Sequence, residues 1–149
     1  MRTVRGILVF TFVLTLAGCA SGSGQHATGS NGPASGGTLA QVYYWRAKPG
    51  KFDEYTRYIR EVAEPIDHEA QRRGAFLSVT TYMTQDTLSA WTHMRVFIFR
   101  DSAQLLKLSG ALDSAGIRLE PDSAKRRQRS AYSATLRDRV GAAVASILE

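Results

Sequence analysis

Three kinds of patterning divide the 149-residue chain. Residues 6–16 form an almost unbroken apolar run. Residues 21–37 carry no apolar side chain larger than alanine or proline, and from Thr38 onward apolar and polar positions recur with regular periods. Leu39 to Arg46 is rich in strand formers, with Val42, Tyr43, Tyr44 and Trp45 at its centre, and Lys48-Pro49-Gly50-Lys51 ends it as a turn. Phe52, Tyr55, Ile59, Val62, Ile66 and Ala70 follow at three- and four-residue steps. That spacing is one face of a helix, with Asp53, Glu54, Arg57, Arg60, Glu61 and Glu64 mostly on the other side. Pro65 lacks a backbone donor and predicts a kink in a continuing helix, and Gly74 suits its C-terminal end. Residues 75–83 and 91–99 read as an antiparallel hairpin joined by a polar turn. In the second strand Thr92, Met94, Val96 and Ile98 share one face, and Trp91, His93, Arg95, Phe97 and Phe99 share the other. Asp101 or Ser102 can cap a second helix bearing Leu105, Leu108 and Leu112. Residues 116–121 read as irregular. Tyr132, Leu136, Val140 and Val144, at four-residue steps, predict a long C-terminal helix over 123–149.

Composition changes the picture mainly at the N-terminus. A 44% hydrophobic and 21% charged chain of this length allows one domain plus extensions and excludes a fully disordered protein. Its single cysteine, Cys19, excludes an intrachain disulfide, a zinc finger and a CxxC site. Arg2 and Arg5 precede the apolar run, which at eleven residues is too short for a bilayer span of roughly 20 residues. It fits the hydrophobic part of a secretory signal. Leu16-Ala17-Gly18-Cys19 follows at once and resembles the lipobox of bacterial lipoproteins. The resemblance implies cleavage before Cys19, acylation of its thiol, and a lipid bilayer as partner through that residue. Ala20 stands where an Asp often signals inner-membrane retention. In a Gram-negative source the expected place is therefore the outer membrane, facing the periplasm. Ser21 to Gly37 holds six glycines and four serines and cannot bury enough apolar surface to fold. As a coil it spans on the order of 20–25 Å. The expected division is a signal peptide (1–18), a lipidated cysteine with a flexible linker (19–37), and a folded α+β domain (38–149).

Within that domain the order strand, helix, strand, strand, helix resembles the ferredoxin-like dimeric α/β-barrel superfamily. This includes the antibiotic-biosynthesis-type monooxygenases and the EthD-like and NIPSNAP-like proteins. The residues that carry the resemblance are Val42-Tyr43-Tyr44-Trp45, Pro49-Gly50-Lys51-Phe52 with Tyr55, Gly74-Ala75-Phe76, and Trp91 with Arg95-Val96-Phe97. It implies an antiparallel sheet with helices on one face, a homodimer in which two sheets pack together, and a fourth strand that the sequence does not place. Independently, both faces of the 91–99 strand are apolar or aromatic, so something must cover the second one. A partner's sheet or the C-terminal helix would serve.

Candidate chemistry is sparse. His93, between Trp91 and Arg95 on one strand face, is a candidate general base or haem ligand, or else a hydrogen-bonded core or interface residue. Arg95 is a candidate for binding a ligand carboxylate, or else one half of a salt bridge across the dimer interface. Tyr43, Trp45, Tyr55, Tyr82 and Trp91 are candidates for an aromatic ligand pocket between sheet and first helix. Asp67, His68 and Glu69 are consecutive on a helix, point about 100° apart, and do not converge on a metal. Neither a metal nor a cofactor is expected. Lys125-Arg126-Arg127-Gln128-Arg129 is a basic cluster, read as a solvated helix face or an anionic-lipid contact. The lipobox places it away from nucleic acid. Arg2 and Arg5 hold two of the six net positive charges, and residues 121–149 set six cations against three acids, so the rest of the domain is close to neutral. The function expected is that of a non-catalytic envelope lipoprotein that self-associates or binds a small hydrophobic ligand. The alternative is a small monooxygenase-like or haem-binding enzyme with a pocket near His93 and Arg95.

Overall fold

The computed structural model describes residues 38–147; the signal-like run, Cys19 and the linker lie outside the described residues. The elements are β1 (Leu39–Ala47), α1 (Phe52–Tyr58), a π turn (Ile59–Ala63), α2 (Glu64–Arg72), β2 (Ser78–Met83), β3 (His93–Phe99), α3 (Ser102–Leu106), α4 (Leu108–Leu119), α5 (Ser123–Leu136) and β4 (Arg137–Ser146). The strands form one antiparallel sheet in the order β2-β3-β1-β4. Two strand–helix–strand crossovers interleaved in this way give a ferredoxin-like α+β fold.

The C-terminus corrects the sequence reading. The expected long helix ends at Leu136, and Arg137–Ser146 runs back along β1 as the fourth strand, from Ala47↔Arg137 to Leu39↔Ser146. A four-residue apolar step is even, so Leu136, Val140 and Val144 satisfy a period of two as well as 3.6. The free edge of β1 decides between them, because its unpaired amides and carbonyls take a partner strand. Gly141 lies under the Tyr44 ring, and a Cβ there would sit 3.4 Å from ring atom Cδ2. Residues 116–119, read as irregular, continue α4 to Leu119.

Pro65 acts one turn earlier than a simple kink. The Glu64 N–H bonds to the Ile59 carbonyl, five residues back, and Pro65 follows with no donor of its own. The widened turn accommodates the proline ring without breaking the helix. It also delays the helical phase by about one residue, or about 100°. In a regular helix Asp67 would stand about 80° from Ile59; the delay brings it toward that face, and Asp67 is buried, as are Tyr55, Ile59 and Ala70.

The register places Leu39, Tyr43, Trp45, Val79, His93, Arg95, Phe97 and Phe99 on one sheet face. All helices with core residues pack there. One cluster joins Ala70, Phe76, Phe97, Phe99, Leu108 and Ala115; a second joins Tyr55, Ile59 and Leu136 with Trp45 and Tyr58. Both clusters and the whole sheet lie within residues 39–146, so the domain contains its own core. The other face carries Val42, Tyr44, Tyr82, Met94, Val96 and Ile98. No described helix packs against it, and Tyr82 is half exposed.

Candidate functional site

The five aromatic pocket candidates do not come together. Tyr43, Trp45 and Tyr55 lie on the helix-covered side. Tyr82 lies on the open face, where it pairs with Met94. Trp91 also departs from its expected face: its ring centroid is 6.3 Å from that of Tyr44, an open-face residue. The reason is local. β3 begins only at His93, so strict alternation does not extend back to Trp91, although the Thr92 backbone still bonds to Trp45 and Thr84.

His93 is fully buried. Its ring lies 4.9 Å from the ring of Phe52 and 4.5 Å from that of Tyr55. Both nitrogens are engaged by hydroxyls, Nε2 by Thr56 Oγ1 at 3.0 Å and Nδ1 by Thr92 Oγ1 at 2.9 Å. Thr56 Oγ1 also reaches the Phe52 carbonyl, and Thr92 Oγ1 accepts the Ala47 N–H and reaches the Trp45 carbonyl. The two hydroxyls, each both donor and acceptor, satisfy both nitrogens of a neutral imidazole. Burial pushes the His93 pKa down to about 4, because the charged form has lost its water and gained no carboxylate.

Arg95 is paired inside the chain, with Asp67 on α2, and both side chains are almost wholly buried. Asp67, His68 and Glu69 diverge as expected from helical geometry. Asp67 faces the sheet, His68 is exposed, and Glu69 binds Arg72, Arg73 and Arg118. Among the described residues no cluster of ligating side chains suits a metal.

A cleft of about 780 Å³ opens in the helix layer, away from His93. Trp45 from β1 forms its base. Tyr58, Val62 and Ile66 line it from α1, the π turn and α2; Leu112, Gly116 and Ile117 from α4; and Ser130, Ser133 and Ala134 from α5. Arg126, Arg127, Arg129, Asp113 and Arg137 complete the wall. The guanidinium carbon of Arg137 stacks 3.4 Å from the centroid of the Trp45 ring and lies 5.4 Å from that of Tyr55. Tyr55 is buried, which pushes its hydroxyl up to about 12, so it stays protonated. Sequence reasoning missed Arg137 because it assigned that residue to a helix. The spacing of Arg137 and Arg139, two residues apart against Trp45 and Tyr43 on β1, was the available signal: each arginine covers one of these rings.

Comparison with known proteins bears on the fold. No family model matches the chain, and no curated protein matches it by sequence. Among solved structures, HapK from Hahella chejuensis is similar at 9% identity with a TM-score of 0.52, covering 74% of this chain and 92% of its own. PA3566 from Pseudomonas aeruginosa is similar at 17% identity with a TM-score of 0.50, covering 76% and 96%. SnoaB from Streptomyces nogalater, a cofactor-independent oxygenase, has 10% identity and a TM-score of 0.48, covering 76% and 95%. At these identities the likeness is one of fold alone.

Proposed function

We propose that this protein is an extracytoplasmic lipoprotein, anchored through Cys19, whose domain holds a small hydrophobic ligand without transforming it and pairs with a second copy through its open sheet face. The cleft carries this reading. Its volume suits a small molecule, aromatic and aliphatic side chains from β1, the first long helix and α4 offer it an apolar surface, and serines and arginines of α5 and β4, with Asp113 of α4, supply polar groups around it. The anchor rests on the charged start, the apolar run and Leu16-Ala17-Gly18-Cys19. Self-association rests on the apolar strand face that no described helix covers. An oxygenase-like or haem-binding reading centred on His93 and Arg95 gains nothing from this geometry. The histidine has no free nitrogen and no exposed edge, and the arginine already holds a carboxylate.

The ligand reading is tested on the domain of residues 38–149 with methyl 2-naphthoate, a neutral bicyclic probe, by isothermal titration calorimetry. The wild type binds it in the micromolar range, and Gly116→Leu abolishes binding. Gly116 lines the cleft, and a Cβ there meets only the Ile66 Cδ1 atom, at 3.9 Å, so the added side chain fits and occupies the ligand's space. A folded wild-type domain that binds no probe, or equal binding in Gly116→Leu, overturns the reading.

A further inference from the structure

Arg95 and Arg137 both act electrostatically on the buried Tyr55 hydroxyl, and they differ in one respect. Arg95 has Asp67 as its counter-ion. No carboxylate lies within ion-pair distance of Arg137 among the described residues. Its Nε donates to Ser133 Oγ at 2.9 Å, and its Nη1, sealed from solvent, finds no acceptor. Tyr55 remains neutral and supplies no countercharge. A partly buried cation without an anion is costly, and the cost falls when an anion arrives with it.

The neighbouring wall repeats the imbalance. Among the described residues, Arg126 donates to the backbone carbonyls of Glu120 and Pro121, each at 2.7 Å, and Arg127 to Ser123 Oγ at 3.3 Å, neither meeting a carboxylate. Arg129 is neutralised by Glu120 at 3.2 Å. Asp113 is the single acid on the cleft wall. We infer that the cleft selects a small amphipathic acid, with its apolar body against Trp45 and the aliphatic walls and its anionic group toward Arg137 and the α5 arginines. A guanidinium already stacked on an indole is held in place, so little ordering is required when a carboxylate meets it.

This inference rests on the cleft being a ligand site, and the experiment separates the two. The domain of residues 38–149 is titrated with 2-naphthoate and, in parallel, with methyl 2-naphthoate, which differs only in its charge and one methyl group. The wild type binds the acid at least about tenfold tighter than the ester, the size expected for one charge-assisted contact. In Arg137→Gln the ratio of the two affinities falls to about one, whatever the change in the ester's own affinity. Where that variant does not fold, Arg137→Lys serves, and it retains a preference for the acid. Equal binding of acid and ester by the wild type overturns the inference and leaves the ligand site standing. So does a preference undiminished in Arg137→Gln, absent in folded Arg137→Lys, or surviving in Gly116→Leu, which places the acid outside the cleft. If neither probe binds, the ligand reading fails and the inference with it.

Discussion

At the scale of single residues, the two most conspicuous polar groups of the strand face turn out to be structural. His93 is neutral and enclosed, and its depressed pKa has a thermodynamic consequence. The folded state binds fewer protons than the unfolded one between about pH 4, the native pKa, and about pH 6.5, the unfolded one. The contribution of His93 to stability is therefore complete above pH 6.5 and is lost as the pH falls toward 4. Urea unfolding at pH 7 and pH 4.5 should show a loss of roughly 2–3 kcal/mol attributable to this group. His93→Gln, less stable at pH 7, should show a correspondingly shallower pH dependence; an unchanged slope would exclude His93 as its source. The sequence made His93 conspicuous but could not reveal its partners. Thr56 is thirty-seven residues away on a helix, and nothing local announces that its hydroxyl closes on the imidazole. Arg95 was expected to pair across a dimer interface; its partner is instead Asp67 of the same chain, on the helix that follows the π turn.

At the scale of elements, most of the sheet was readable and its last strand was not. β1, β3 and the amphipathic first helix follow from alternation and three-to-four spacing. Arg137–Ser146 did not, because an even apolar step serves helix and strand equally and the preference is set by the open edge of β1, which is tertiary context. The face of β3 that carries Met94, Val96 and Ile98 is where the elements leave work undone. These side chains remain only half-buried although they stand at the sheet's centre. If a second copy covers them, placing a charge there separates the copies. Sedimentation of the domain at tens of micromolar should give a dimer for the wild type and a monomer for Val96→Lys, with unchanged far-ultraviolet dichroism, since a buried unpaired lysine is costly only in the pair. A wild-type monomer under these conditions rules out pairing through this face.

At the scale of the whole molecule, address and domain are separate problems. The proposed anchor rests on sequence alone: a charged start, an apolar run and small residues before one cysteine. Two or three acyl chains, at about 0.8 kcal/mol per buried CH₂, hold a protein on a membrane where one chain does so only weakly. The full chain produced in a bacterial host should take up radiolabelled palmitate, and Cys19→Ala should lose both the label and the membrane fraction; labelling that persists in the variant refutes the anchor. The cleft was not legible, because it is made from five helical segments and two strands drawn from both halves of the domain. The π turn gives the molecule a further property. The helix that runs from Phe52 to Arg72 packs its first half, with Tyr55 and Ile59, into one apolar cluster, and its second half, with Ala70, into the other. A rod that is continuous across both clusters cannot leave one without tilting out of the other. The two cores, small as each is, are thereby bound to lose their order in a single cooperative step.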